Sequence, residues 1–229
     1  FLSIASHQMR TPISSILGYS SILSTGDAGK MNRKQEKFAK TMEDSAKRLS
    51  YLINDFLTVS RLKSGKFNID RVKTDLRQIL RSEVRNLESQ FKAKEIHLKV
   101  NIGSKIPTLN ADEQKLRQVM MNLIDNAMYY TPQGGEVEVT LIKEGPEIIF
   151  EVKDNGIGVP AEDQSMLFTK MYRASNAQRM RPDGTGLGLF LAKRVVSGHK
   201  GHVIFRSTEG EGSVFGFRIP IREKRRKRT

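Results

Sequence analysis

Apolar residues step by threes and fours along the first stretch of the chain: Leu2, Ala5, Met9, Ile13 and Ile16 make one helical stripe. A run of turn formers, Gly26-Asp27-Ala28-Gly29-Lys30-Met31-Asn32, ends it. Beyond that loop, Phe38, Ser45, Leu52 and Val59 recur at heptad spacing, and Met42, Leu49 and Phe56 repeat the spacing with an offset. Together they form an a/d-type seam over about three heptads. One hairpin cannot enclose seams of this length, so the pattern predicts a homodimer whose two hairpins form a four-helix bundle. The alternative, a hairpin packed on the remainder of its own chain, is disfavoured by the length of both seams.

From Phe67 onward the pattern mixes periods. Asp75 is a natural N-cap for a helix burying Leu76, Ile79, Leu80, Leu87 and Phe91. Residues 96–100 alternate as a half-buried strand. Asp112 begins a second helix with Leu116, Val119, Met120, Leu123, Ile124 and Ala127 inward. Residues 136–142 and 147–153 read as a strand pair around Glu144-Gly145-Pro146. A third helix is expected after Gly188, with strands near 202–206 and 214–219 closing the unit. The fold class is α+β: an antiparallel helical hairpin dimerising into a four-helix bundle, followed by an α/β sandwich. The expected domains are residues 1–66 and 67–222, with a basic tail at 223–229.

Composition supports a folded chain, at 38% apolar and 28% charged residues of 229. No stretch approaches the roughly 20 apolar residues that span a bilayer, and no signal segment opens the sequence. The first residue already lies in a helical pattern, so a longer protein is expected, with any sensing or membrane segment upstream. The absence of cysteine removes disulfides, thiol catalysis and Cys-based zinc sites, and suits a reducing compartment. Net charge is +14, of which residues 222–229 carry +5, leaving +9 for the body. A basic balance favours polyanions. No aromatic platform or DNA-binding motif accompanies it, so no nucleic-acid partner is expected.

Candidate chemistry is concentrated in the second part. Asp154-Asn155-Gly156-Ile157-Gly158 follows a predicted strand; its glycines admit close backbone approach, and Asp154 can accept from an exocyclic amine. Gly184, Thr185, Gly186, Leu187 and Gly188 precede a helix, where successive backbone N–H groups cradle anions such as phosphates. No Lys-Ser/Thr follows, so this is not a P-loop. Asn122 and Asn126 lie one helical turn apart on one face, and their amide oxygens suit Mg²⁺. Taken singly, the asparagines could equally be surface residues, and the glycines a flexible loop.

The order of these segments resembles the ATP-binding domain of sensor histidine kinases, a branch of the superfamily shared with gyrase-type ATPases. The family's N, G1, F and G2 boxes correspond to residues 122–132, 154–160, 167–173 and 184–189. Ser6-His7-Gln8-Met9-Arg10-Thr11-Pro12 is similar to its H box. The resemblance implies a cytoplasmic protein-histidine kinase core that uses ATP and Mg²⁺. It would autophosphorylate on His7, pass the phosphoryl group to a response-regulator aspartate, and dephosphorylate the regulator with help from Thr11. It also implies that Asp154 holds the adenine amine, Tyr130 packs on adenine, Asn126 ligates Mg²⁺ with Asn122 alongside, Arg173 lies near the γ-phosphate, and residues 170–183 form a lid.

On a helical wheel, His7 and Thr11 each lie about 160° from the centre of the apolar stripe, in opposite senses, which puts both on the solvent face. Pro12 removes the helix bond to the Gln8 carbonyl, so a bend is expected there. Two positions depart from the family. Gln8 stands where an acidic base is usual, and residues 1–26 contain no Asp or Glu. An imidazole with a reference pKa of about 6.5 is already largely neutral, so the expected consequence is slow rather than absent chemistry. Tyr129 stands where Lys is common; either it faces solvent, or its loss of charge is offset by Arg179 and Arg181. Both departures keep open a catalytically weak or inactive nucleotide-binding scaffold. His97, His199 and His202 read as structural.

Overall fold

The computed structural model describes residues 2–63, 67–182 and 184–221, except for the side chains of residues 2–10, 47–48, 51–52, 54–61 and 63. The expected basic tail at 223–229 lies outside the described residues. The chain forms two compact units, Phe1–Phe67 and Asn68–Thr229.

The first unit is a hairpin of α1 (Leu2–Thr25) and α2 (Arg33–Lys63). Helix α1 runs on through Pro12. The turn begins with Gly26 at φ 81° and Gly29 at φ 111°. Helix α2 starts on a reciprocal cap: Asn32 Oδ1 accepts from the Lys34 and Gln35 N–H groups, and the Asn32 N–H donates to Gln35 Oε1 at 2.9 Å. Ile13 and Ile53 bury against each other, and Ala39, Ala46 and Ser20 are buried too. The internal seam is therefore 39/46/53, where alanines let the helices approach closely. Of the seam expected from sequence, Phe38 is 56% exposed, Met42 47% and Leu49 45%. That face is not consumed within the hairpin. Leu52, Phe56 and Val59 belong to the same seam, but their side chains lie outside the described residues.

The second unit is a helical layer on a sheet. Its helices are α3 (Leu76–Ala93), α4 (Glu113–Tyr130) and α7 (Gly188–Gly198), with short α5 (Ala161–Gln164) and α6 (Ser175–Met180) between the last two. Strands β2 (His97–Ile102), β4 (Glu136–Glu144), β5 (Glu147–Asp154), β6 (His202–Thr208) and β7 (Gly212–Pro220) form one sheet in the order β2-β4-β5-β7-β6. β2 runs parallel to β4 and the other pairings are antiparallel. A two-stranded ribbon, β1 (Val72–Thr74) with β3 (Leu109–Ala111), was not foreseen from the pattern, since three-residue strands carry almost no periodicity.

Asp75 and Asp112 cap α3 and α4 by accepting from the Arg77 and Lys115 backbone N–H groups. The apolar residues expected inward on both helices are buried, and Phe150 meets Phe217 in the sheet core at 5.2 Å between centroids. Glu83 is buried as well, and Arg117 bridges it at 2.7 Å while also reaching Glu113 at 3.0 Å. Removing Arg117, itself partly exposed, would leave that buried carboxylate without its ion partner, a loss of about 1–3 kcal/mol. Among the described residues no helix is long and apolar enough to cross a membrane.

Candidate functional site

His7 and Gln8 lie in α1, and their side chains lie outside the described residues. Thr11 is exposed, as its position opposite the apolar stripe requires, and its carbonyl accepts from Ser15 Oγ at 3.3 Å.

In the second unit, the C-terminal half of α4 organises the loops around it. Asp154 ends β5 between Val137 of β4 and Ser213 of β7, and is buried. Burial pushes its carboxyl up to about 6, against the pull of the Gly156 and Ser213 N–H groups. The Gly156 N–H donates to Asp154 Oδ1 at 2.9 Å. The next residue, Ile157, donates from its N–H to the Tyr130 carbonyl at 3.2 Å, so this loop rests on the end of α4. Gly158 has φ 61°, and a Cβ there would overlap the Thr208 carbonyl oxygen; no larger residue fits.

The second glycine loop meets the same helix. A Cβ on Gly188 would overlap the Asn122 carboxamide. Asn122 Nδ2 is buried without a hydrogen-bond partner among the described residues. Helix α7 starts at Gly188 with no side-chain cap on its first N–H groups. Leu187 N–H donates to Thr185 Oγ1 at 3.3 Å, which bends the backbone into the helix start. Unmet donors at a helix N-terminus beside a carboxamide make a cradle for anions. Asn126 is half-buried one turn after Asn122, and Tyr130 is half-buried with its ring edge-on to Tyr129 at 5.5 Å.

The segment between the two loops is held by contacts that no local motif announced. Asp163 is buried and accepts from Tyr172 Oη at 2.5 Å, Ser175 N–H at 2.8 Å and Ser175 Oγ at 3.0 Å. The Tyr172 hydroxyl does most to hold its carboxyl below the usual range. Asn176 Nδ2 donates to the Gly158 carbonyl at 3.0 Å, tying α6 to the first glycine loop. Met171 N–H donates to the Gly186 carbonyl at 3.1 Å, tying the same segment to the second. Arg173 donates to the carbonyls of Pro182 at 3.0 Å, Ala177 at 3.1 Å and Arg181, and its guanidinium flanks Gly184.

Tyr129 does not merely face solvent. Arg181 Cζ lies 4.5 Å from its ring centroid and Lys94 Nζ 5.0 Å. Arg179 is turned back onto the Ser175 carbonyl at 3.4 Å. His199 is buried and structural: its Nε2 accepts from the Asp112 N–H at 2.9 Å, and burial depresses its pKa. His97 and His202 are exposed.

The family described as histidine kinase-, DNA gyrase B- and HSP90-like ATPase matches residues 111–223, and the His Kinase A phospho-acceptor domain matches residues 1–65. Circadian input-output histidine kinase CikA of Synechococcus elongatus is 35% identical over 227 residues, covering 96% of this chain and 29% of that protein. Histidine protein kinase DivJ of Caulobacter vibrioides is 31% identical over 221 residues, covering 96% and 37%. Among solved structures, full-length ShkA in complex with AMPPNP superposes with a TM-score of 0.74 at 28% identity, covering 97% of this chain and 46% of that one. The chain spans less than half the length of each of these relatives.

Proposed function

Since the chain belongs to the sensor histidine kinase family, carrying its phospho-acceptor and ATP-binding domains, we propose that it transfers the γ-phosphoryl group of ATP to His7. The phosphoryl group then passes to an aspartate of a response-regulator receiver domain. The observation that carries this reading is the meeting of both glycine loops on α4, with the Asn122 carboxamide against Gly188 at the uncapped start of α7.

In this reading Asp154 accepts the adenine amine and Tyr130 packs on the base. The N–H groups of residues 184–188 receive the phosphates. Asn126, with Asn122 alongside, holds Mg²⁺, since carboxamide oxygens from successive turns of one helix face suit a hard cation. When bound, the ion neutralises charge on the phosphates. Arg173 organises residues 173–182 through their carbonyls, and exchanging one carbonyl for a γ-phosphate oxygen would bring it to the reacting end. Gln8 orients the His7 imidazole without accepting its proton. Thr11 orients water toward the phosphorylated regulator, giving a phosphatase activity. The work is cytoplasmic, where ATP and regulators are.

The exposed Phe38, Met42 and Leu49 of α2, with Ile16, Tyr19 and Ile22 of α1, supply the apolar surface for a second hairpin in a homodimer.

The test is incubation with γ-labelled ATP followed by acid. Acid-labile label that disappears in His7→Gln is expected. Nucleotide binding without any label would instead favour the scaffold reading that Gln8 keeps open. Thr11→Ala is expected to keep the label and lose dephosphorylation of the regulator.

A further inference from the structure

Tyr129 is surrounded by charge from two other elements. Lys94, the C-cap of α3, and Arg181, the C-cap of α6, both lie against its ring. Lys94 is committed to the end of α4: its Nζ donates to the carbonyls of Met128 at 2.9 Å and Tyr129 at 3.2 Å. It therefore serves the negative end of the helix dipole. Arg181 belongs to the segment before the second glycine loop, and its carbonyl accepts the Gly184 N–H at 3.3 Å. The ring thus holds the Arg181 side chain against α4, on a segment that ends three residues before the phosphate cradle.

A guanidinium lying face-on to an aromatic ring keeps its N–H donors along its edge. It can therefore be held by the ring and still donate in-plane to a phosphate oxygen. An ammonium on α4 could not serve in the same place, because Lys94 and Arg181 would repel it. We propose that Tyr129 is a positioning residue that holds Arg181 beside the triphosphate, so that the lid delivers the positive charge that residues 122–130 of α4 lack. This rests on residues 122–188 being the ATP site.

The test compares AMPPNP with AMP, in Mg²⁺, on the whole 229-residue chain by calorimetry. Tyr129→Leu and Arg181→Ala are each expected to weaken AMPPNP about three- to tenfold, the size of a cation–π contact. AMP, which lacks the β- and γ-phosphates, should change by less than about twofold; its retention also shows that each variant is folded. The double variant should be no weaker than either single one, because both remove the same interaction. Tyr129→Phe should restore parental affinity, since the ring is retained. Additive losses, or equal losses for AMP and AMPPNP, would overturn the proposal while leaving the ATP site standing. If neither nucleotide binds the parent chain, both fall.

Discussion

The carboxamide of Asn122 occupies the space that a Cβ on Gly188 would need, so the N-terminus of α7 and the face of α4 share one close-packed contact. Gly188→Ala must push the two helices apart or turn Asn122 away. Overpacking of this kind costs about 1–3 kcal/mol, and the change falls on the proposed phosphate cradle. AMPPNP affinity is expected to drop at least about tenfold. Asn122→Ala in the same chain should recover part of the thermal stability lost. Calorimetric binding and a melting curve read both effects.

In its proposed adenine-binding role, Asp154 is expected to give nucleotide affinity a pH dependence. Its carboxyl titrates at about 6 because burial disfavours the charge. In the proposed role the ionised form accepts the adenine amine, and the protonated form is a much weaker acceptor. Affinity should be flat above pH 7 and about tenfold weaker near pH 5, following one proton. Asp154→Asn, which keeps an amide oxygen but does not titrate, should show weaker binding that no longer varies between pH 5 and 7.

His199 should make stability pH-dependent in the opposite part of the fold. Its folded pKa lies below the ordinary 6.5, chiefly through burial, and its Nε2 must be unprotonated to accept from Asp112. Below 6.5 the unfolded chain binds a proton that the folded chain refuses. Its contribution is therefore complete above pH 6.5 and is lost progressively as pH falls from there to the folded pKa. The slope is at most about 1.4 kcal/mol per pH unit. Urea unfolding at several pH values measures it, and His199→Gln should flatten the curve in that window.

Gln8→Glu should raise the rate of autophosphorylation. General-base assistance is worth about 10²–10⁴-fold where it operates, and the parent has only an amide at that position. Initial rates with labelled ATP decide it; an equal or slower variant would sink the idea.

The dimer is expected to depend on the outward seam of α2. Met42 and Leu49 are exposed within the hairpin, so replacing both with Glu leaves the Ile13–Ile53 contact untouched. Light scattering should give twice 25.9 kDa for the parent and a single copy for Met42→Glu/Leu49→Glu.

The helices were legible because their signals are local. Asp75 and Asp112 announce α3 and α4, and the turn formers of residues 26–32 fill the gap between α1 and α2. The heptad seam was legible too, but not which of its faces closes the hairpin. Ala39, Ala46 and Ile53 do so, because small residues permit the closest approach, while the bulkier Phe38 and Met42 stay outside.

Sequence alone was enough to recognise the family from five segments in order, since motif spacing along a chain needs no third dimension. Tertiary structure decided which residues hold those segments together. Asp163 meets Ser175, Asn176 meets the Gly158 carbonyl, and Arg181 meets Tyr129 across 52 positions of chain. Such partners leave no periodic trace, because each contact is made by an isolated polar or aromatic side chain whose neighbour is chosen only when helices and sheet have packed.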